Sequence, residues 1–301
     1  MLIRVLGSAA GGGSPQWNCC CAVCSAVRND PGLESRLTCT MAVRGCSDNW
    51  FLCNAGPDLG VQLRDWSAMS PRRDRPVLAH RVLLTDAELD HTTGLLSLRQ
   101  ADELCIYGTA TMRELLTECG LLPTLRSYTR VDWRDVGAGA AFELDNRDGS
   151  VSGLTCEVVE VGNGRLPRYA RTTTASAAAV IGYVINDRTT GGSAAFAPSV
   201  AVDDEMIVRA LGRAGIAFID GTFYEENELA GAGRGAAPAC SMGHIPVNAD
   251  QLGTGLASVG ARVVYTHLNN TNQLILPDSR ARKSLADRGF AVARDGAEFT
   301  V

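Results

Sequence analysis

The stretch "VLLTDAELDHTTGL" (Val82 to Leu95) runs from an apolar segment into three carboxylates and a histidine, then into a new period with Leu95, Leu96 and Leu98 on one side. The short apolar run reads as a buried strand, and the leucine spacing predicts a helix over Thr92 to Ala101. Asp86, Glu88, Asp90 and His91 therefore stand at the mouth of a strand. Such carboxylates serve either as solvated loop and helix-cap groups, with Asp90 suited to an N-cap, or as metal ligands. Other strand ends bear on the choice, because metal sites are assembled from several of them. The strand in "VVYTHLNN" ends on His267, and the strand in "IDGTFYEE" ends on Asp220, a capping carboxylate or a ligand or base at the same edge. The loop "SMGHIP" carries His244. His80, placed before its strand, reads as an ordinary packed or surface histidine. Asn54 and Asp58 in "FLCNAGPD" read as turn residues.

Further strands are expected at Leu2 to Leu6, Thr40 to Arg44, Trp50 to Asn54, Glu103 to Tyr107, Cys156 to Val161, Val180 to Ile185, Ala194 to Ala197 and Phe290 to Ala293. Helical periods fall at Gly60 to Trp66, Ala110 to Cys119, Asp203 to Ala214, Asn248 to Val259 and Pro277 to Arg288. Runs of strands separate the helices, which predicts sheets with helices packed outside them, a layered α/β architecture.

With 46% hydrophobic and 20% charged residues the 301-residue chain can bury a sizeable core. A net charge of -5 argues against a nucleic-acid or anionic-membrane surface. The N-terminal "MLIRVLGSAAGGGS" is too short and glycine-rich for a signal or spanning segment, so a cytoplasmic location is expected. "GSAAGGGSPQWN" lacks the Lys-Ser/Thr of a phosphate loop. Its glycines are expected instead to let the backbone pass close to the site or to the neighbouring cysteine cluster. The long segment "GNGRLPRYARTTTASAAA" (Gly162 to Ala179) shows no hydrophobic period and is expected to be a functional or mobile loop.

Eleven cysteines in a chain without a secretory signal suggest reduced thiols. In "NCCCAVC", Cys19, Cys21 and Cys24 have a spacing that lets three thiolates converge on one Zn²⁺, with Cys20 pointing elsewhere. A fourth ligand from a distant segment would close a structural tetrahedron. The other cysteines are expected to be small buried hydrophobes.

With these pieces placed, the sequence resembles the coenzyme PQQ biosynthesis protein B family, a branch of the metallo-β-lactamase superfamily. The resemblance is carried nearly end to end by "LGSAAGGGSPQWNCCCAVC", "FLCNAGPD", "LDHTTGLLSLRQ", "FAPSV", "DGTFYEE", "MGHIP", "HLNNTN" and "DGAEFTV". It implies a four-layer αββα sandwich, one domain over residues 1–301 with a zinc-knuckle segment near 18–25. Hydrolases of the superfamily carry H-x-H-x-D-H after this strand. Here Asp86 and Glu88 occupy the first two histidine positions, a loss typical of the PQQ branch, while Asp90 and His91 remain. The usual metal-bridging position falls at Ala197 or Pro198, which cannot bridge. The resemblance thus implies a single metal on Asp90, His91 and His267, with Asp86, Glu88 or Asp220 as added ligands.

The activity so implied is an Fe(II)- and O2-dependent hydroxylation of the tyrosine ring in a crosslinked Glu-Tyr product, or of a related substrate in another natural-product pathway. His244 would move protons above the metal and Asp220 would orient ligands or substrate. The expected partners are a small amino-acid or dipeptide-like substrate and O2, with a homodimer allowed. Arg165, Arg168 and Arg171 are candidate carboxylate partners. Two departures stand out. Cys20 replaces the asparagine of the usual "CNC", and "RTTTASAAA" lacks the family's Pro- and His-containing segment. A related phosphodiesterase branch draws its fourth zinc ligand from a histidine where this chain has Asn270. A phosphodiesterase-like hydrolase and a non-catalytic PQQ carrier are the alternative functions.

Overall fold

Parallel strands buried on both faces explain the continuous apolar runs of this sequence. In Ile216–Asp220, Ile216 and Phe218 join one hydrophobic cluster while Ala217 and Ile219 join another. The computed structural model describes residues 1–47, 49–69, 79–139, 141–146, 148–171, 177–231, 237–249 and 251–301.

Among the described residues fourteen strands, numbered along the chain, form two seven-stranded mixed sheets. The first sheet contains β1 (Leu2–Gly7), β2 (Thr40–Arg44), β3 (Phe51–Cys53), β4 (Arg81–Leu83), β5 (Glu103–Gly108), β6 (Arg130–Asp135) and β14 (Glu298–Thr300), in the order β14-β1-β2-β3-β4-β5-β6. The second contains β7 (Ala141–Asp145), β8 (Val151–Glu160), β9 (Ile181–Asp187), β10 (Ser193–Ala197), β11 (Ile216–Asp220), β12 (Arg262–Thr266) and β13 (Ala291–Val292), in the order β13-β12-β11-β10-β9-β8-β7. Each sheet is antiparallel in one part and parallel in the other, with β3 to β6 and β10 to β13 as the parallel sets.

The sheets pack face to face through Ile3, Met41, Phe51, Tyr183, Phe196 and Phe218, all fully buried. Each such side chain contributes about 1.5–3 kcal/mol of transfer free energy. Helices cover the outer faces. On the second sheet, α1 (Ala22–Asn29), α6 (Glu205–Leu211), α8 (Gln251–Ser258) and α9 (Arg280–Asp287) bury Val23, Leu211, Leu252, Leu256 and Leu285. On the first, α2 (Leu59–Asp65), α4 (Ala110–Glu118) and α5 (Leu121–Arg126) bury Leu59, Leu115 and Leu122. Thr109, Asp204 and Ser279 start α4, α6 and α9 by accepting hydrogen bonds from the backbone N–H groups of Met112, Ile207 and Arg282. The chain thus has the layered α/β sandwich architecture expected from its sequence.

The strands not expected from sequence, β6, β7 and β14, all lie at sheet edges, where one side of each strand is unpaired and the apolar run disappears. The helix expected over Thr92 to Ala101 is instead a turn of α-helix, α3 (Leu89–Thr92), continued by a 3-10 segment at Thr93–Leu98. Asp90 sits in its first turn and Glu88 holds the N-cap position, so the reading of Asp90 as a cap is corrected. Gly94 sets the path: its N–H donates to Ala55 O at 2.8 Å, and a Cβ there would lie 2.0 Å from Gly56 O. The scattered cysteines divide, since Cys39, Cys53, Cys105 and Cys156 are buried whereas Cys46, Cys119 and Cys240 are exposed. Among the described residues no helix is long and apolar enough to cross a membrane.

Candidate metal centre

The carboxyl ends of β4, β11 and β12 meet along one edge of the sandwich, the place where open α/β sheets present functional groups. Asp220 is the last residue of β11, and Asp86 and His267 stand just past β4 and β12. The turn α3 adds Asp90 and His91. One ligating atom each from Asp90, His91 and His267 lie within 4.8 Å of one another. His267 Nε2 is 3.3 Å from Asp90 Oδ2, and the His91 and His267 rings are 4.8 Å apart.

His91 is 1% exposed, and its Nε2 is buried with no hydrogen-bond partner among the described residues. A buried, unpartnered imidazole nitrogen facing a carboxylate and a second imidazole is unfavourable unless a cation takes it up. The arrangement therefore fits a divalent metal.

The other ring nitrogen of His91 is fully engaged. Asp86 Oδ1 and Oδ2 lie 2.8 and 2.7 Å from Nδ1, so Nδ1–H donates to the carboxylate. Asp86 is itself held by the Glu88 N–H at 2.9 Å and by the Thr85 hydroxyl at 3.1 Å. Thr85 is held by Asn54, whose amide donates to Thr85 Oγ1 at 2.9 Å and whose Oδ1 accepts the Thr85 N–H at 2.9 Å. Asn54 adopts φ +66, a left-handed conformation that asparagine tolerates. Asp86 thus stands behind His91 as an orienting carboxylate, outside the set formed by Asp90, His91 and His267. Glu88 is also outside the converging set. It lines the adjacent cavity.

On the facing side, Asp220 Oδ1 accepts from the Thr222 hydroxyl at 2.6 Å and the Thr222 N–H at 2.9 Å, while Oδ2 accepts the Val200 N–H at 2.8 Å. His244 Nδ1 lies 2.7 Å from Asp220 Oδ2, and His267 Nδ1 lies 2.8 Å from Thr222 Oγ1. Asp220, His244 and His267 form a second group of converging atoms. His267 carries φ +59, a strained conformation for a histidine, of a kind concentrated at functional sites. Thr85 and Thr222, and the structural importance of Asn54, had no metal-ligand chemistry to betray them in the sequence. For Thr85 and Thr222, a place within two residues of the strand-end carboxylates Asp86 and Asp220 is the available signal.

The local charges act in opposite directions on the three site histidines. For His91, burial works against the proton, but Asp86 and Asp90 outweigh it and push the pKa up to about 9. For His244 burial likewise opposes the proton and Asp220 outweighs it, raising the pKa. Burial dominates at His267 and lowers its pKa, leaving the neutral imidazole that metals require. Burial opposes ionisation of Asp86 and Asp90 as well, yet His91 holds both below the usual carboxylate range. Glu88 is raised by burial and by Asp86 and Asp90.

The glycine loop passes close to the centre, as expected: a Cβ on Gly11 would sit 3.2 Å from Asp90 Oδ2. Beside it opens a cavity of about 480 Å³ lined by Gly11, Gly12, Glu88, Asp90, Arg165, Arg168 and Tyr169 among others. Arg165 donates to Met242 O, and the Tyr169 hydroxyl donates to Ala87 O. Arg171 is not among the residues lining it. Residues 172–176 of the Gly162 to Ala179 loop lie outside the described residues, as do residues 232–236 before His244.

The sulfur atoms of Cys19, Cys21 and Cys24 also converge within 4.8 Å, with Cys20 exposed. Cys21 begins α1, its sulfur accepting from the Cys24 N–H at 3.5 Å. Over the triangle lies Asn270, whose side-chain amide nitrogen is 3.1, 3.9 and 3.2 Å from the three sulfurs in turn. Its backbone oxygen is 3.6 Å from the sulfurs of Cys21 and Cys24. Burial pushes the Cys21 thiol up to about 11.

The β-lactamase superfamily domain matches residues 49–268. Coenzyme PQQ synthesis protein B of Cupriavidus necator is 35% identical over 309 residues, covering 99% of this chain and 99% of the relative. The protein of the same name from Rhodopseudomonas palustris is 34% identical over 314 residues, covering 100% of both. Among solved structures, Zn(2+)-bound PqqB from Methylobacterium extorquens superposes with a TM-score of 0.89 at 30% identity, over 100% of both chains. A diphosphatase from the PhnP family, at 20% identity and TM-score 0.68 over 100% of this chain and 97% of its own, shares the fold.

Proposed function

The chain belongs to the coenzyme PQQ synthesis protein B family of the β-lactamase superfamily, and from that premise we propose that it is an Fe(II)- and O2-dependent hydroxylase of a tyrosine-derived amino acid. The substrate is the crosslinked Glu-Tyr diad of PQQ synthesis or a related amino acid of another natural-product pathway. The observation that carries this reading is the convergence of Asp90 and His267 on the unpartnered Nε2 of His91. Two imidazoles and one carboxylate with the remaining positions open suit iron oxygen chemistry. Iron bound there would supply O2 activation, and with two electrons from an external reductant and two protons one oxygen atom would enter the aromatic ring as a hydroxyl while the other leaves as water.

The protein's own residues would do the rest. Asp86 orients the His91 imidazole. Asp220 holds a proton on His244, whose ring stands 5.7 Å from that of His267, a place from which it can pass a proton toward the site. The roughly 480 Å³ cavity has room for an amino acid, and its Arg165 and Arg168 offer bidentate contacts to substrate carboxylates while Glu88 faces an amine. At Cys19, Cys21 and Cys24 a structural Zn²⁺ fits, as three sulfurs with an oxygen of Asn270 complete four donors, the side-chain amide serving after exchange of its O and N positions. The Zn(2+)-bound PqqB relative supports a zinc-binding scaffold.

The test is incubation of Fe(II)-loaded protein with crosslinked Glu-Tyr and related tyrosine-containing amino acids under ¹⁸O2, with a small-molecule reductant such as ascorbate supplying the two electrons per turnover. Ring hydroxylation carrying the label supports the reading. Turnover of phosphoesters by zinc-loaded protein without O2, or substrate binding with no oxygen consumed, would overturn it.

A further inference from the structure

Thr222 Oγ1 lies within hydrogen-bond distance of three groups at once: Asp220 Oδ1 at 2.6 Å, His267 Nδ1 at 2.8 Å and His244 Nδ1 at 3.1 Å. A hydroxyl has one proton to give and two lone pairs to offer. Asp220 is ionised and can only accept, so the hydroxyl proton must point at Oδ1. Any other orientation would press two oxygen lone pairs together at 2.6 Å. The hydroxyl's lone pairs are then left for the imidazoles, and His267 can satisfy the contact only as a donor, through Nδ1–H. A neutral His267 has one ring proton, so its Nε2, 3.3 Å from Asp90 Oδ2, keeps the lone pair that a metal needs.

The hydroxyl has little freedom to choose otherwise. The Thr222 N–H donates to Asp220 Oδ1, the Thr222 carbonyl accepts the Asn269 N–H at 3.0 Å, and Asn272 Nδ2 donates to Gly221 O at 2.7 Å and to Thr222 O at 3.2 Å. Thr222 is 3% exposed. His91 meets the same need by a different device, a direct carboxylate from Asp86, whereas His267 receives its carboxylate through an intervening hydroxyl.

We propose that Thr222 is a positioning residue of the metal centre, fixing His267 in the tautomer that presents Nε2 to the ion. The inference rests on the metal reading of Asp90, His91 and His267 given above. Residues in such supporting positions alter metal affinity by about 10–100-fold when removed.

The test titrates wild-type protein, Thr222→Val and Thr222→Ser with Co(II), reading affinity at the imidazole site by visible absorption. Ions at the cysteine site are told apart by their near-ultraviolet thiolate band. Valine keeps the shape and deletes the hydroxyl, and serine restores the hydroxyl without the methyl group. The expected result is affinity lowered by about 10–100-fold in Thr222→Val and recovered in Thr222→Ser, with both variants melting cooperatively. Equal affinity in wild type and Thr222→Val overturns the inference and leaves the metal reading standing, as does loss in both variants. Failure of wild type itself to bind Co(II) at the imidazole site overturns both.

Discussion

Asp86 approaches Nδ1 of His91 with both carboxylate oxygens, at 2.8 and 2.7 Å, and so leaves the opposite ring nitrogen directed at Asp90 and His267. The carboxylate at position 86 thus fixes the His91 tautomer and raises the basicity of its other nitrogen.

Replacing Asp86 by Ala leaves Nδ1 of His91 buried without an acceptor, a cost of about 1–3 kcal/mol in stability. Metal affinity at the imidazole site should fall by about 10–100-fold. Calorimetric or competitive titration with Co(II) reads the second effect, and unchanged affinity would mean that Asp86 has no orienting role.

Protein stripped of metal at the imidazole site should lose stability as pH rises through the range set by His91. Its pKa is raised from 6.5 to about 9 in the folded protein. A raised histidine stabilises fully below its unfolded value and ceases to do so above its folded one. The contribution is therefore present below pH 6.5 and lost by about pH 9. Melting temperatures in chelator across this window should decline, and the decline should be shallower in Asp86→Asn. Parallel curves for the two proteins would contradict the assignment of the effect to the His91–Asp86 pair.

At the cysteine cluster, Asn270→Ala should release zinc to a colorimetric chelator at least roughly tenfold faster than wild type, the lower end of what supporting residues contribute. Asn270→His supplies a nitrogen donor and should retain the ion. Equal release from wild type and Asn270→Ala would place the fourth donor elsewhere, the backbone oxygen of the same residue being the nearest candidate.

How much of this was legible beforehand depended on chemistry and on burial. The nine interior strands from β2 to β12 that carry apolar runs could be read from them, because burial on both faces, or alternating burial in β8, leaves a regular apolar signal. The edge strands β6 and β7, with exposed and half-buried residues such as Arg130, Asp135 and Glu143, write none. Asp90, His91, His267 and the three clustered cysteines are conspicuous by residue type. Asn54, Thr85 and Thr222 are not, since their roles arise only when β3, β4, β11 and β12 bring distant segments into contact. For the same reason the sequence left Asp86 open among three added ligands: it shows that a carboxylate is near the site, and only the fold shows which side of the histidine it occupies.

The most direct test of the central claim counts iron and zinc per chain after anaerobic reconstitution with Fe(II), in wild type and in the His91→Ala/His267→Ala double variant. The account predicts about one iron in wild type and none in the variant, with about one zinc retained by both at the cysteine cluster, from the single-ion geometry of the two sites. Iron that fails to bind wild type, or binds the double variant equally, would contradict it.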